Sequence, residues 1–86
     1  MQLKMKEIKY FTAGWCSPCR ALSPIMDNLK NQGLNITKID VDEKPELVTE
    51  FGIRNVPTLV FMENGAFKNK LVGVQSEEKI IEIYNG

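Results

Sequence analysis

"FTAGWCSPCRALSP", residues 11–24, holds both cysteines of the chain, Cys16 and Cys19. Leading into it, "EIKYFT" (7–12) reads as a strand that stops just short of the sulfurs. Following it, Leu22, Ile25, Met26 and Leu29 fall at i, i+3, i+4 and i+7, one face of a helix from Pro18 to about Gln32, which Gly33 ends. Pro18 suits a first helical turn, where its missing N–H costs nothing, whereas Pro24 lies inside the helix and is expected to kink it. The dithiol therefore sits at a strand-to-helix junction.

Working outward, "NITKIDV" (35–41) reads as the next strand, so strand, helix and strand form a parallel pair with a right-handed crossover. In "KPELVTEFG", Pro45 and Gly52 bracket a short helix. "TLVFM" (58–62) carries no charge, as expected of a strand buried on both faces. "ENG" turns the chain, and "FKNKLVG" returns beside it as an antiparallel hairpin. Ser76 is placed to cap a last helix, with Glu77 and Glu78 at its positive end and Ile80, Ile81, Ile83 and Tyr84 on its inner side. The order is β-α-β-α-β-β-α without repeat or linker: a three-layer α/β sandwich, one domain over residues 1–86.

Composition narrows the function. Hydrophobic residues at 43% and charged residues at 26% describe a globular chain. Eleven basic side chains balance eleven acidic ones, so no positive field is available for nucleic acid or for anionic lipid. No apolar run reaches signal-peptide or membrane-span length. A cytoplasmic, reducing location is expected, and a permanent structural disulfide is unexpected there.

A thiol becomes a nucleophile when it loses its proton. Cys16 stands at the positive end of the helix, where free N–H groups and the macrodipole favour a thiolate, and it is expected to be ionised and solvent-reachable. Cys19, one turn on, faces back toward it and into the protein. Attack is assigned to Cys16 and resolution to Cys19. Both sulfurs could instead be core filling. A metal site needs about four ligands, and the chain has no histidine and no further cysteine. A redox dithiol fits the junction better than either.

With these residues in view, the chain resembles the thioredoxin family. "FTAGWCSPCRALSP" is similar to that family's strand, active-site motif and kinked helix. "GIRNVPTLVF" (52–61) resembles its second signature, in which a cis peptide bond precedes the proline matching Pro57. Gly65 and Gly73 fall at family glycines. The resemblance implies a protein disulfide reductase. Cys16 attacks a client disulfide, Cys19 resolves the mixed disulfide, and the Cys16–Cys19 disulfide so formed is reduced again by a reductase, commonly a flavoprotein using NADPH, with no cofactor bound by this chain. It implies a monomer in which Trp15, Val56, Pro57, Gly73 and Val74 offer a shallow apolar surface to an extended client strand. Pro18 stands where oxidants and isomerases carry histidine, so the couple is expected to be reducing, nearer roughly −270 mV than roughly −120 mV. Ser17 replaces a customary glycine.

Two departures accompany the likeness. Few residues precede "EIKYFT", as in short members of the family that lack an added strand and helix, which implies a less covered sheet face. Tyr10 stands where the family keeps a buried aspartate that helps deprotonate the resolving thiol, while Lys38 matches the lysine that accompanies it. A phenol, with a reference pKa of about 10, is a weak base at neutral pH, so Cys19 is left to water, Lys38 or the client complex for its activation. Tyr10 also suits an ordinary core aromatic. A glutaredoxin-like activity drawing on glutathione and a non-catalytic binding module of the same fold are the competing functions; "WCSPC" lacks the tyrosine usual between glutaredoxin cysteines.

Overall fold

A computed structural model describes residues 4–86. Among them run β1 (Lys6–Thr12), α1 (Ser17–Asn31), β2 (Ile36–Asp40), α2 (Pro45–Glu50), β3 (Thr58–Glu63), β4 (Ala66–Val72) and α3 (Glu77–Asn85). The strands form one mixed sheet in the order β2-β1-β3-β4. β1 lies parallel to β2 and antiparallel to β3, and β4 returns antiparallel to β3.

Strand alternation divides the core into two layers. Ile8 and Tyr10 of β1, with Ile36, Leu59 and Phe61, meet Leu22, Met26 and Leu29 of α1 and Ile80 of α3 on one face. Phe11, Ile39 and Val60 face the other way, toward Leu47 and Val48 of α2 and Phe51 beyond it. The expected three layers are present. Their coverage is unequal, because α2 is only 6 residues long, and the register places Phe67 and Val72 of β4 on its side of the sheet, beside Met62 and Thr58. Both are more than half exposed, at 59% and 51%.

Boundaries differ from the sequence reading for identifiable reasons. The first helix begins at Ser17, with Cys16 rather than a later residue as its cap, and it runs through Pro24 unbroken. β2 stops at Asp40 because that carboxylate accepts the Asp42 N–H at 2.8 Å and folds the chain back. Ile25, Ile81, Ile83 and Tyr84 are half-buried, since their helices lie on the surface of the sandwich. The hairpin tip has Asn64 and Gly65 at φ 54° and 81°, the left-handed pair that a two-residue turn needs. Ser76 caps α3 by accepting the Lys79 N–H at 3.2 Å.

Leu22 is fully buried where α1 meets the sheet. Leu22→Ala is expected to lower unfolding stability by about 2–5 kcal/mol. Chemical denaturation should show a lower midpoint with unchanged slope; an unchanged midpoint would refute this packing.

Candidate active site

The topology brings four chain segments to one pole. β1 and β2 are parallel and end together, where the Val41 N–H donates to the Thr12 carbonyl at 3.0 Å. β3, antiparallel to both, begins there, and β4 ends there. The segments after β1, after β2, before β3 and after β4 therefore converge outside the carboxyl ends of the parallel strands, where crevices form in open α/β sheets.

Cys16 occupies the centre. It is the N-cap of α1, with extended backbone at φ −96° and ψ 113°, and its Sγ accepts the Cys19 N–H at 3.2 Å. It is disulfide-bonded to Cys19, with the two Cα atoms 5.3 Å apart. No acidic side chain occupies the first turn of α1, so nothing there offsets the positive helix end. Both sulfurs pack with Ala13, Val41 and Val56. Cys16 is 4% and Cys19 2% exposed. The expectation of a solvent-reachable leading sulfur is thus corrected for the oxidised centre, because the disulfide turns Sγ of Cys16 toward its mate and under Val56, whose carbonyl oxygen lies 3.5 Å away.

Val56 is joined to Pro57 by a cis peptide bond. The Pro57 carbonyl accepts the Gly73 N–H at 2.8 Å, which docks the end of β4 beside the sulfurs. Gly73 turns there at φ 91°. Pro57 itself is fully buried, so it adds no exposed apolar surface at this pole. Of the other residues expected at a client surface, Trp15 is 67% and Val74 48% exposed, and Val56 and Gly73 are half-buried. A cleft of about 350 Å³ runs beside them, lined by Trp15, Val41, Val48, Ile53, Arg54, Asn55 and Val56.

Tyr10 lies under α1, 1% exposed. Its hydroxyl donates to the backbone carbonyl of Cys19 at 3.1 Å and lies 3.1 Å from Ser23 Oγ. Lys38 is its register partner on β2 but is exposed on the sheet edge. Sequence reasoning missed Asp42, whose Oδ2 accepts the Trp15 indole N–H at 3.0 Å, and Asn55, whose carbonyl accepts the Thr58 hydroxyl at 2.6 Å. Asp42 follows the carboxyl end of a parallel strand, and that position alone could have drawn notice to it.

A disulfide across a helix N-terminus, facing a cis-proline loop, accords with the family whose model, Thioredoxin, matches residues 3–85. The chain belongs to the thioredoxin family. Thioredoxin from Rickettsia bellii is 37% identical over 78 residues, 87% of this chain and 74% of the relative. Thioredoxin from Listeria monocytogenes is 35% identical, with 87% and 76% covered. A mutant thioredoxin from Halobacterium salinarum superposes with a TM-score of 0.88 at 36% identity, covering 93% of this chain and 72% of that one. Fasciola hepatica thioredoxin gives 0.85 at 28% identity, with 93% and 78% covered. Like other thioredoxins, the chain is a protein disulfide reductase, with Cys16 and Cys19 as its redox pair.

Trp15 is the single tryptophan, so its anchoring by Asp42 can be read directly. Asp42→Ala is expected to change stability by less than about 0.5 kcal/mol, as for most exposed sites. Time-resolved fluorescence anisotropy should nonetheless show a more mobile indole. An unchanged decay would show that Asp42 does not hold the ring.

Proposed function

We propose that Cys16 is the attacking sulfur, Cys19 the resolving one, and that the chain works as a cytoplasmic monomer in the direction of client reduction. The observation that carries the order is the Cys19 N–H aimed at Cys16 Sγ from the first turn of α1. A thiolate accepts such a bond more strongly than a thiol does, so the helix end favours ionised Cys16 in the reduced protein.

The chemistry then balances in two displacements. Cys16 thiolate attacks one sulfur of a client disulfide, forming a Cys16–client bond and releasing the other client sulfur as thiolate. Cys19, as thiolate, attacks Cys16 Sγ, forming the Cys16–Cys19 bond and releasing the second client sulfur. Two electrons pass to the client, whose thiolates take up protons. Trp15, Val56, Gly73 and Val74 flank the entry and would meet an extended client strand.

Disulfide-bearing client proteins and a reductase are the general partners of such a chain. A flavoprotein drawing on NADPH is proposed as the source of electrons. Pro18 ahead of Cys19 supports a reducing couple, because no cationic side chain stands there to stabilise the attacking thiolate further. No helix among the described residues is long and apolar enough to cross a membrane.

In an insulin reduction assay, Cys16→Ser is expected to abolish activity, and Cys19→Ser is expected to accumulate a covalent adduct through Cys16. Adduct formation through Cys19 in the Cys16→Ser protein at the wild-type rate would reverse the assignment. Alkylation of reduced Cys16 against pH should have its midpoint below the ordinary thiol value of about 8.5, since the folded helix end favours the charged form. A midpoint at or above that value would remove the electrostatic basis of the proposal.

A further inference from the structure

Tyr10 is joined to the dithiol in a way that the two displacements leave unexplained. Its ring packs in the α1 face of the core, where a phenylalanine would fill the same space. Its hydroxyl, however, is committed to the main chain of Cys19 at 3.1 Å. A carbonyl only accepts, so the single phenolic proton goes to Cys19, and the 3.1 Å contact with Ser23 is made by the serine hydroxyl donating to the phenolic oxygen. The chain of bonds therefore has one direction, from half-buried Ser23 through Tyr10 to the carbonyl of Cys19.

That carbonyl lies one residue before the one that loses its helical donor to a proline. Pro24 lies inside the helix; it cannot donate to the carbonyl of Arg20, and its ring crowds that group. The turn from Cys19 to Ser23 thus adjoins a missing rung of the helical ladder. A bond from the sheet to that turn fastens it from below.

We propose that Tyr10 is a positioning residue for disulfide closure, holding the main chain of Cys19 against β1 so that its sulfur is presented to Cys16 before the bond forms. In the oxidised protein the disulfide itself holds the turn. In the reduced protein that covalent link is gone, and the hydroxyl bond takes a larger share of the ordering. Its loss makes closure less favourable, because the turn must then be ordered during the reaction rather than before it. This inference rests on the reading of Cys19 as the resolving thiol.

The test is the equilibrium of the full chain with reduced and oxidised glutathione, compared between wild type and Tyr10→Phe. The phenylalanine keeps the ring and removes the bond. The constant for forming the Cys16–Cys19 disulfide is expected to fall by up to about fivefold, the full effect of one buried neutral hydrogen bond, because in the reduced protein the gain from that bond is offset by ordering the turn. In a Cys19→Ser background, the rate at which Cys16 attacks a model disulfide should fall by much less than the closure constant does, since the Tyr10 bond reaches Cys16 only through the Cys19 amide. A general loosening of the fold would lower both alike. Should Tyr10→Phe not fold, Ser23→Ala removes the donor that orients the phenol and is expected to lower the same constant about twofold. An equilibrium constant unchanged in the variant that folds, or an attack rate that falls in parallel with it, overturns the proposal. A wild-type protein that exchanges with neither glutathione nor insulin would instead overturn the disulfide-reductase reading, and the positioning role with it.

Discussion

The hydrogen bond from the Cys19 amide to the Cys16 sulfur is where folding and chemistry meet. Helices are normally capped by oxygen from serine, threonine, aspartate or asparagine, because four N–H groups at each start lack helical partners. Here a sulfur fills that role. As a neutral acceptor it caps poorly, and as a thiolate it caps well, so the start of α1 is better satisfied when Cys16 is charged. The rest of the site follows from the need to bring a second sulfur within bonding distance, which a residue one helical turn later meets at a Cα separation of 5.3 Å.

The sheet supplies what the helix cannot. Parallel β1 and β2 deliver the cysteine loop and the Val41–Asp42 segment side by side, and antiparallel β3 and β4 bring in Val56 and Gly73 from the opposite direction. These segments are cross-linked by hydrogen bonds: Val41 to Thr12, Gly73 to Pro57, Trp15 to Asp42. A client strand would therefore meet a surface built by the ends of four strands rather than by one long loop. Such a surface holds its shape without a large core behind it, which matters in a chain of 86 residues.

Much of this was legible in the sequence because local rules and global fold agree. Periodicity gave α1 its inner face through Leu22, Met26 and Leu29; Asn64–Gly65 announced the hairpin; Ser76 announced α3; the uncharged "TLVFM" matched a strand with Thr58 to Phe61 buried. The dithiol and Pro57 were legible as motifs. What escaped were relations between side chains distant in sequence. Nothing in a one-dimensional pattern pairs Trp15 with Asp42, 27 residues on, or sends the Tyr10 hydroxyl to a backbone carbonyl rather than to a sulfur. Burial of Cys16 also escaped, since exposure at a helix tip depends on the loop folded over it, here Val56. Pro57 shows the same limit: its position in a motif identified the residue, while its full burial had to come from the fold.

The sheet has a second pole, and it is chemically quiet. There Asn64 and Gly65 form an exposed tip, fastened to the start of β1 by the Met5 amide donating to Asn64 Oδ1 at 2.9 Å and the Asn64 amide donating to the Met5 carbonyl at 2.7 Å. Redox machinery and hairpin thus occupy opposite ends of one short slab. The molecule has a handle: a dye, a surface linker or a fused cargo attached at residue 64 or 65 projects away from approaching clients, leaving electron exchange unobstructed while the protein is carried, immobilised or tracked.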